Sequence, residues 1–316
     1  MQILKEQPNF NFMNKRKIAA IFSAILIIIS IASLVMKGLN FGIDFTGGTI
    51  IEIAYQEEAD LNKIKGKLEQ AGYHDAIVQT FGSIHDVLIR LPIIEGKDKA
   101  ALSNEVVAML QSEHATPIDV RRAEFVGPQV GEELTEQGGL AMLYALIGIL
   151  IYVSLRFEYR FAIGSVVALV HDVILTLGIF SVFQLEFDLT VLAAILAIIG
   201  YSLNDTIVVF DRIRETFLRQ RKGSPVEIVN KALNDTLSRT LMTSITTLLV
   251  VISLFVFGGE VIHAFSIALL IGIIIGTYSS IYIASNTVLA MGVSKADLLP
   301  PAKEEGAEIG EDGSQV

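Results

Sequence analysis

The residues best suited to chemistry are acids and bases set in apolar surroundings. Asp205 stands inside Gly200-Tyr201-Ser202-Leu203-Asn204-Asp205-Thr206, within an apolar run from Leu189 to Phe210. His171 and Asp172 interrupt the run from Phe161 to Leu185, and Arg239 immediately precedes the run from Thr240 to Phe257. Insertion scales put an Asp or Arg at mid-helix in a membrane at about +2.5 to +3.5 kcal/mol, so such residues face a bundle interior and find partners. They could tie helices together through buried hydrogen bonds. Three titratable groups on two neighbouring spans favour a proton relay over a staple.

Metal chemistry fits poorly. His171 and Asp172 are adjacent, which on a helix turns them about 100° apart, and there is no HExxH-type pair. No Ser-His-Asp order or GxSxG elbow is visible. The chain has no Cys, which removes thiol nucleophiles, thiolate sites and disulfides. The expectation is a non-enzyme without metal or cofactor. With 24 Lys and Arg against 34 Asp and Glu, there is no basic footprint for nucleic acid.

Depth brings some of these residues to one level. Asp205 lies six residues before Asp211, about 9 Å along a helix. Arg239 opens the next span, which runs antiparallel, so an ion pair with Asp205 is geometrically possible. Arg239 would serve equally as a positive-inside anchor. His171 and Asp172 fall near mid-span, about 15 Å from Phe161.

The elements that must position these groups are membrane helices. Of 316 residues, 52% are hydrophobic and 18% charged, against about 25% charged in a soluble chain. Six runs approach the roughly 20 residues a hydrocarbon core requires: Ile18–Met36, Leu140–Leu155, Phe161–Leu185, Leu189–Phe210, Thr240–Phe257 and Ala264–Met291. Lys15, Arg16 and Lys17 precede the first, and Arg156, Arg160 and the Arg- and Lys-rich stretch from Asp211 to Arg239 fall on the same side. The positive-inside rule therefore predicts cytoplasmic residues 1–17, a first span over 18–36 and a large outer domain over 37–137. A five-helix bundle over 138–291 and an acidic, disordered cytoplasmic tail over 292–316 complete the division. The expected location is a bacterial inner membrane.

The outer domain carries nine Lys and Arg against 17 Asp and Glu. Thr49–Ala54 alternates as a strand, Asp60 caps a helix carrying Leu61, Ile64 and Leu68, and Ile77–Phe81 and Asp86–Leu91 read as two strands. Ala101 to Leu110 has helical spacing and Ile118–Val126 reads as a last strand. The order βαββαβ is the ferredoxin-like split motif. The fold class is thus a polytopic α-helical membrane protein with a ferredoxin-like α+β domain between spans one and two. Gly-rich connectors bracket that domain: Phe41–Gly48, with Gly42, Asp44, Gly47 and Gly48, and Gly127–Gly131, with Gly127, Pro128 and Gly131. They read as tight turns and candidate hinges. They do not read as phosphate cradles, because Gly48 precedes a strand and no Lys-Ser/Thr follows.

Two further features are legible. Ser224-Pro225-Val226-Glu227 is a capping box, predicting a short amphipathic helix on the cytoplasmic interface. The sixth span carries Gly272, Gly276, Ser280 and Ala284, a small residue at every fourth position, which permits close helix approach, within the bundle or to another subunit.

Taken with the plan of one span, a domain of about 100 residues and five spans, the segments Phe41–Gly48, Val126–Leu134, Val170–Val173, Gly200–Glu215 and Leu237–Ser244 resemble the SecD/SecF family of the bacterial Sec protein-export machinery. That family lies in the resistance-nodulation-division superfamily, and the resemblance covers nearly the whole chain except the tail. It implies a SecD-like six-span partner, a protein-conducting translocon and preprotein substrates, with the proton-motive force driving late export steps. It assigns proton transport to the Asp of the Leu-Asn-Asp motif, here Asp205 beside Asn204, and to the Arg of the Leu-Ser-Arg motif, here Arg239. His171 and Asp172 join them as relay candidates. Burial would favour a protonated Asp205 and a nearby Arg239 would favour the carboxylate. One charge crossing 100 mV yields about 2.3 kcal/mol, enough to bias a conformational equilibrium roughly fiftyfold. A small-molecule or lipid transporter of the same superfamily and a non-transducing scaffold are the competing readings. The small outer domain counts against the transporter.

Overall fold

The computed structural model describes residues 9–93, 99–112, 116–220 and 222–294. The acidic tail expected over 292–316 therefore lies almost wholly outside the described residues, as do the first eight residues of the N-terminal segment.

Among the described residues six helices are long and apolar enough to cross a membrane. Helix α1 spans Arg16–Met36 and is followed by a two-residue strand β1, Asn40–Phe41, and a single helical turn α2, Ile43–Thr46. The extramembrane domain comprises β2 Gly48–Ala54, α3 Leu61–Gln70, β3 Ile77–Phe81, β4 Ser83–Leu91, α4 Lys99–Gln111 and β5 Asp119–Val126. The bundle follows as α5 Pro128–Arg156, α6 Tyr159–Phe183, the short β6 Glu186–Phe187, α7 Leu189–Arg219, α8 Pro225–Phe257 and α9 His263–Ser279. A π-helical segment, Ser280–Ala284, then continues into α10, Ser285–Ala290.

The domain sheet has the order β3-β4-β2-β5, all neighbours antiparallel. That is the ferredoxin-like arrangement the element order predicted. Asp60 caps α3 by accepting from the amides of Asn62 and Lys63. These bonds, that of Lys63 first, hold its carboxyl below the usual range. Ile51, Ile53, Val87, Ile89 and Leu91 of the sheet bury against Ile64 and Leu68 of α3 and Val106 and Leu110 of α4. The alternate positions Ile50 and Leu88 form a smaller cluster with Ile43 on the opposite face.

Two expectations are corrected here. The helix starting at the Ser224 capping box is not a separate interfacial element. Ser224 and Glu227 do form the box, but the helix runs unbroken to Phe257, because no Gly or Pro after Pro225 interrupts it. The second Gly-rich connector is not a loop either. Gly127 is the N-cap and Pro128 lies in the first turn of α5, where a missing N–H is tolerated. Gly131 lies inside the helix, and a Cβ there would stand 2.7 Å from the Phe45 carbonyl oxygen. The membrane helix therefore begins about ten residues earlier than the boundary at 137, directly below the sheet.

Helices α6 and α7 form the centre of the bundle. Along their apolar stretches 50% and 56% is buried, against 17% for α1 and α8 and 11% for α5. Close approach follows from small residues. A Cβ at Gly272 of α9 would meet Ile198 of α7 at 2.3 Å, and one at Gly276 would meet Ser202 at 3.1 Å. Ser280 and Ala284 are fully buried. The small-residue stripe of the sixth span thus packs within the bundle.

Candidate functional site

Asp205 and Asp172 sit between the central helices, 7% and 1% exposed. Asp205, on α7, accepts from the hydroxyl of Thr240 on α8 at 2.7 Å and from that of Ser280 at 2.5 Å. Asp172, on α6, accepts on one oxygen from Ser202 of α7 at 2.5 Å and from Ser279 of α9 at 2.8 Å. Its other oxygen meets Nδ1 of His171 at 2.9 Å. Each carboxylate is therefore held in part by helices other than its own, and the two draw on adjacent residues of the sixth span, Ser280 and Ser279.

Local geometry makes that sharing workable. Consecutive residues of an α-helix point about 100° apart, yet Ser279 and Ser280 are both fully buried and serve different acids. The π-helical segment begins at this step. Such one-turn π segments locally reset the direction of side chains and recur at functional sites.

His171 is 3% exposed and stacks on Tyr278 at 6.2 Å between ring centroids. Its Nε2 is buried without a hydrogen-bond partner. The Tyr278 hydroxyl donates to the Ala19 carbonyl and meets the Ser23 hydroxyl, both at 2.9 Å. Tyr278 thus hydrogen-bonds α1 and stacks on His171, which bonds Asp172, while Ser279 and Ser280 are consecutive residues that serve Asp172 and Asp205 separately.

The sequence-predicted residues do not all gather here. Asp205, Asp172 and His171 do. Asn204 faces outward and is exposed. Arg239 is exposed as well, and the anticipated ion pair with Asp205 is not formed among the described residues. Thr240, its neighbour in the chain, occupies the hydrogen-bonding position instead. Sequence reasoning missed Ser202, Thr240, Tyr278 and Ser279, and it read Ser280 only as a packing residue. A Ser or Thr in an apolar run carries no sign of the acid it serves.

The connector Phe41–Gly48 forms a second polar assembly, at the domain end of the bundle. Strand β1 pairs in parallel with β6, and the Gly42 amide donates to the Phe187 carbonyl at 2.8 Å. Asp44 accepts from the amide of Leu189, the first residue of α7, at 3.0 Å. Asp188 caps the same helix end at the amide of Val191, 2.9 Å away. Arg90 of β4 forms an ion pair with Glu186. Burial pushes the Glu186 carboxyl up; Arg90 draws it down, and Asp188 and Asp44 push it up further, so the net direction is upward. Gly47 and Gly48 have φ of 69° and 136°, conformations that favour glycine. A Cβ on Gly48 would lie 2.6 Å from the Leu91 carbonyl oxygen. The same segment that links the domain to α1 thus grips the first turn of the helix carrying Asp205.

A six-span helical bundle with a ferredoxin-like insertion and carboxylates buried between its central helices defines a polytopic membrane protein with an extramembrane α+β domain. The family described as protein export membrane protein SecD/SecF, C-terminal, matches residues 106–294, and the SecD/SecF GG motif matches residues 32–59. The chain belongs to the SecD/SecF family of protein-export membrane proteins. It is 52% identical to the protein translocase subunit SecF of Vibrio alginolyticus over 98% of this chain and 99% of that protein. With the SecF subunit of Escherichia coli O157:H7 the identity is 46% over 95% and 93%. The crystal structure of SecDF, a translocon-associated membrane protein from Thermus thermophilus, superposes with a TM-score of 0.82 at 37% identity over 92% of this chain. This chain spans 39% of that SecDF chain. A SecDF structure in a super-membrane-facing form matches at the same identity and coverage with a TM-score of 0.68. The protein is a multi-pass bacterial membrane protein of the SecF translocase-subunit type.

Proposed function

We propose that this subunit, paired with a SecD-like partner of the same six-span plan, uses the proton-motive force to drive late steps of preprotein export. The observation that carries this reading is Asp205 itself. It is a carboxyl group buried in the bundle and held by two hydroxyls, with no cation in contact among the described residues. A hydroxyl can donate to a carboxylate or accept from a protonated acid, so the site accommodates both states of a proton carrier. Asp205 loads and releases the proton, Arg239 governs release electrostatically, and Asp172 with His171 forms the adjoining part of the path. The termini lie in the cytoplasm and the ferredoxin-like domain outside, as the distribution of Lys and Arg supports.

Transduction to the domain then runs along α7. Its first turn is gripped by Asp44 and Asp188, and Asp205 lies farther along the same helix. A shift of α7 on protonation would move β6, β1 and the sheet together, with Gly47 and Gly48 as the flexible points. The unequal fit of the two SecDF structures supports more than one arrangement in the family. The test is Asp205→Asn in membranes that hold the complete translocon. Loss of proton-dependent export with normal insertion supports a transducer, and a scaffold subunit would tolerate the change.

A further inference from the structure

A cavity of about 860 Å³ opens at the bundle end where α1 and α8 begin, between the N-terminal segment and the first turns of α8. Its walls are preformed. Asn234 donates to the Phe10 carbonyl and accepts from the Phe10 amide, at 2.9 and 2.7 Å, and Asn230 accepts from the Met13 amide at 3.1 Å.

Charge around the cavity is unbalanced. Arg16, Lys17 and Lys231 line it, and none of the three forms an ion pair among the described residues. The two acids at its wall are engaged elsewhere. Asp235 accepts from Arg212 at 2.6 and 3.0 Å, and Glu227 accepts from the Ser224 amide at 2.9 Å. Directly beyond Lys17, Ile21, Ile25 and Ile28 follow at steps of four and three residues, 62%, 51% and 66% exposed. A cationic cavity therefore opens onto an apolar stripe on α1 that starts one helical turn away.

We propose that this cavity holds the headgroup of an anionic phospholipid, with an acyl chain along Ile21, Ile25 and Ile28. The phosphate sits among Arg16, Lys17 and Lys231, and the asparagine-tied N-terminal segment closes one side. The pairing of charge and apolar surface selects a lipid over a soluble anion, which would satisfy the cations and leave the stripe unused.

The test is native mass spectrometry of the full chain released from bilayers of phosphatidylcholine mixed with phosphatidylglycerol. Wild-type protein should retain phosphatidylglycerol in preference to phosphatidylcholine. Lys231→Gln and, separately, Lys17→Gln should each lower that retention about fivefold, the effect of one cation near a charged membrane surface. Lys65→Gln, on the extramembrane domain, should leave it unchanged. Equal retention of the two lipids, or retention indifferent to both cavity variants, would overturn the proposal. Displacement by millimolar inorganic phosphate would make this a soluble-anion site, and loss of retention when a SecD-like subunit is added would make it a protein interface. Either result also overturns it.

Discussion

Ser279 and Ser280 are consecutive residues whose hydroxyls bind two different buried carboxylates, Asp172 at 2.8 Å and Asp205 at 2.5 Å. The two acids lie on different helices and do not bond each other. A displacement of the π-helical step would carry both hydroxyls, which makes the sixth span a testable link between the two sites.

That coupling is separable by substitution. Ser280→Ala should shift the frequency of the Asp205 carboxyl infrared band directly, and Ser279→Ala should shift that of Asp172, because each loses a hydroxyl partner. If the π step couples them, each variant should also move the other band by a smaller amount. Two bands that respond with complete independence would remove the coupling. Each lost hydrogen bond to a charged group should lower stability by about 1.5–3 kcal/mol.

The Arg90–Glu186 pair gives a pH signature at the domain junction. Burial holds the Glu186 carboxyl above its ordinary value, so the folded state binds the proton more tightly than the unfolded chain does. Its contribution to stability is therefore fully present below the ordinary glutamate pKa and is lost as pH rises through the elevated folded value. Glu186→Gln should flatten that slope in thermal unfolding of the detergent-solubilised protein. Arg90→Gln removes the cation that draws the carboxyl down and should extend the slope to higher pH. A slope of opposite sign in the wild type would mean that the ion pair outweighs burial.

The sheet domain should fold alone. A fragment from Thr49 to Val126 keeps the core of Ile51, Ile53, Leu68, Val87, Ile89 and Val106 but loses Ile43, which packs on the opposite face. NMR should show four strands and two helices, at reduced stability relative to the intact chain. Leu68→Ala should cost a further 2–5 kcal/mol or so, typical of a fully buried leucine. A helical or unfolded spectrum would contradict the fold.

How much of this was legible in the sequence depends on the kind of signal. Apolar length gave all six spans, and alternation gave the strands, because burial dictates both patterns directly. Asp205, Asp172 and His171 stood out because charge is costly in an apolar run. Thr240, Ser202 and Ser279 did not, since a hydroxyl costs little there and one chain reveals no direction. The contact between Asp44 and Leu189 was hidden for another reason: it joins residues 145 positions apart. The parallel pairing of Asn40–Phe41 with Glu186–Phe187 involves strands too short to show alternation. The Ser224 capping box predicts a separate short helix because the long apolar run begins only at Thr240, while the backbone between them has no Gly or Pro at which to stop.

Protonation of Asp205 is the step proposed to drive export. The most direct measurement is preprotein release from membranes that contain the complete translocon, with and without an imposed proton gradient, for wild type and Asp205→Asn. Asn keeps the size of the side chain and can still engage Thr240 and Ser280, but it cannot exchange a proton. The gradient should accelerate release in the wild type and have no effect in the variant, with insertion and partner binding equal. Gradient-dependent release that persists unchanged in Asp205→Asn would contradict the account.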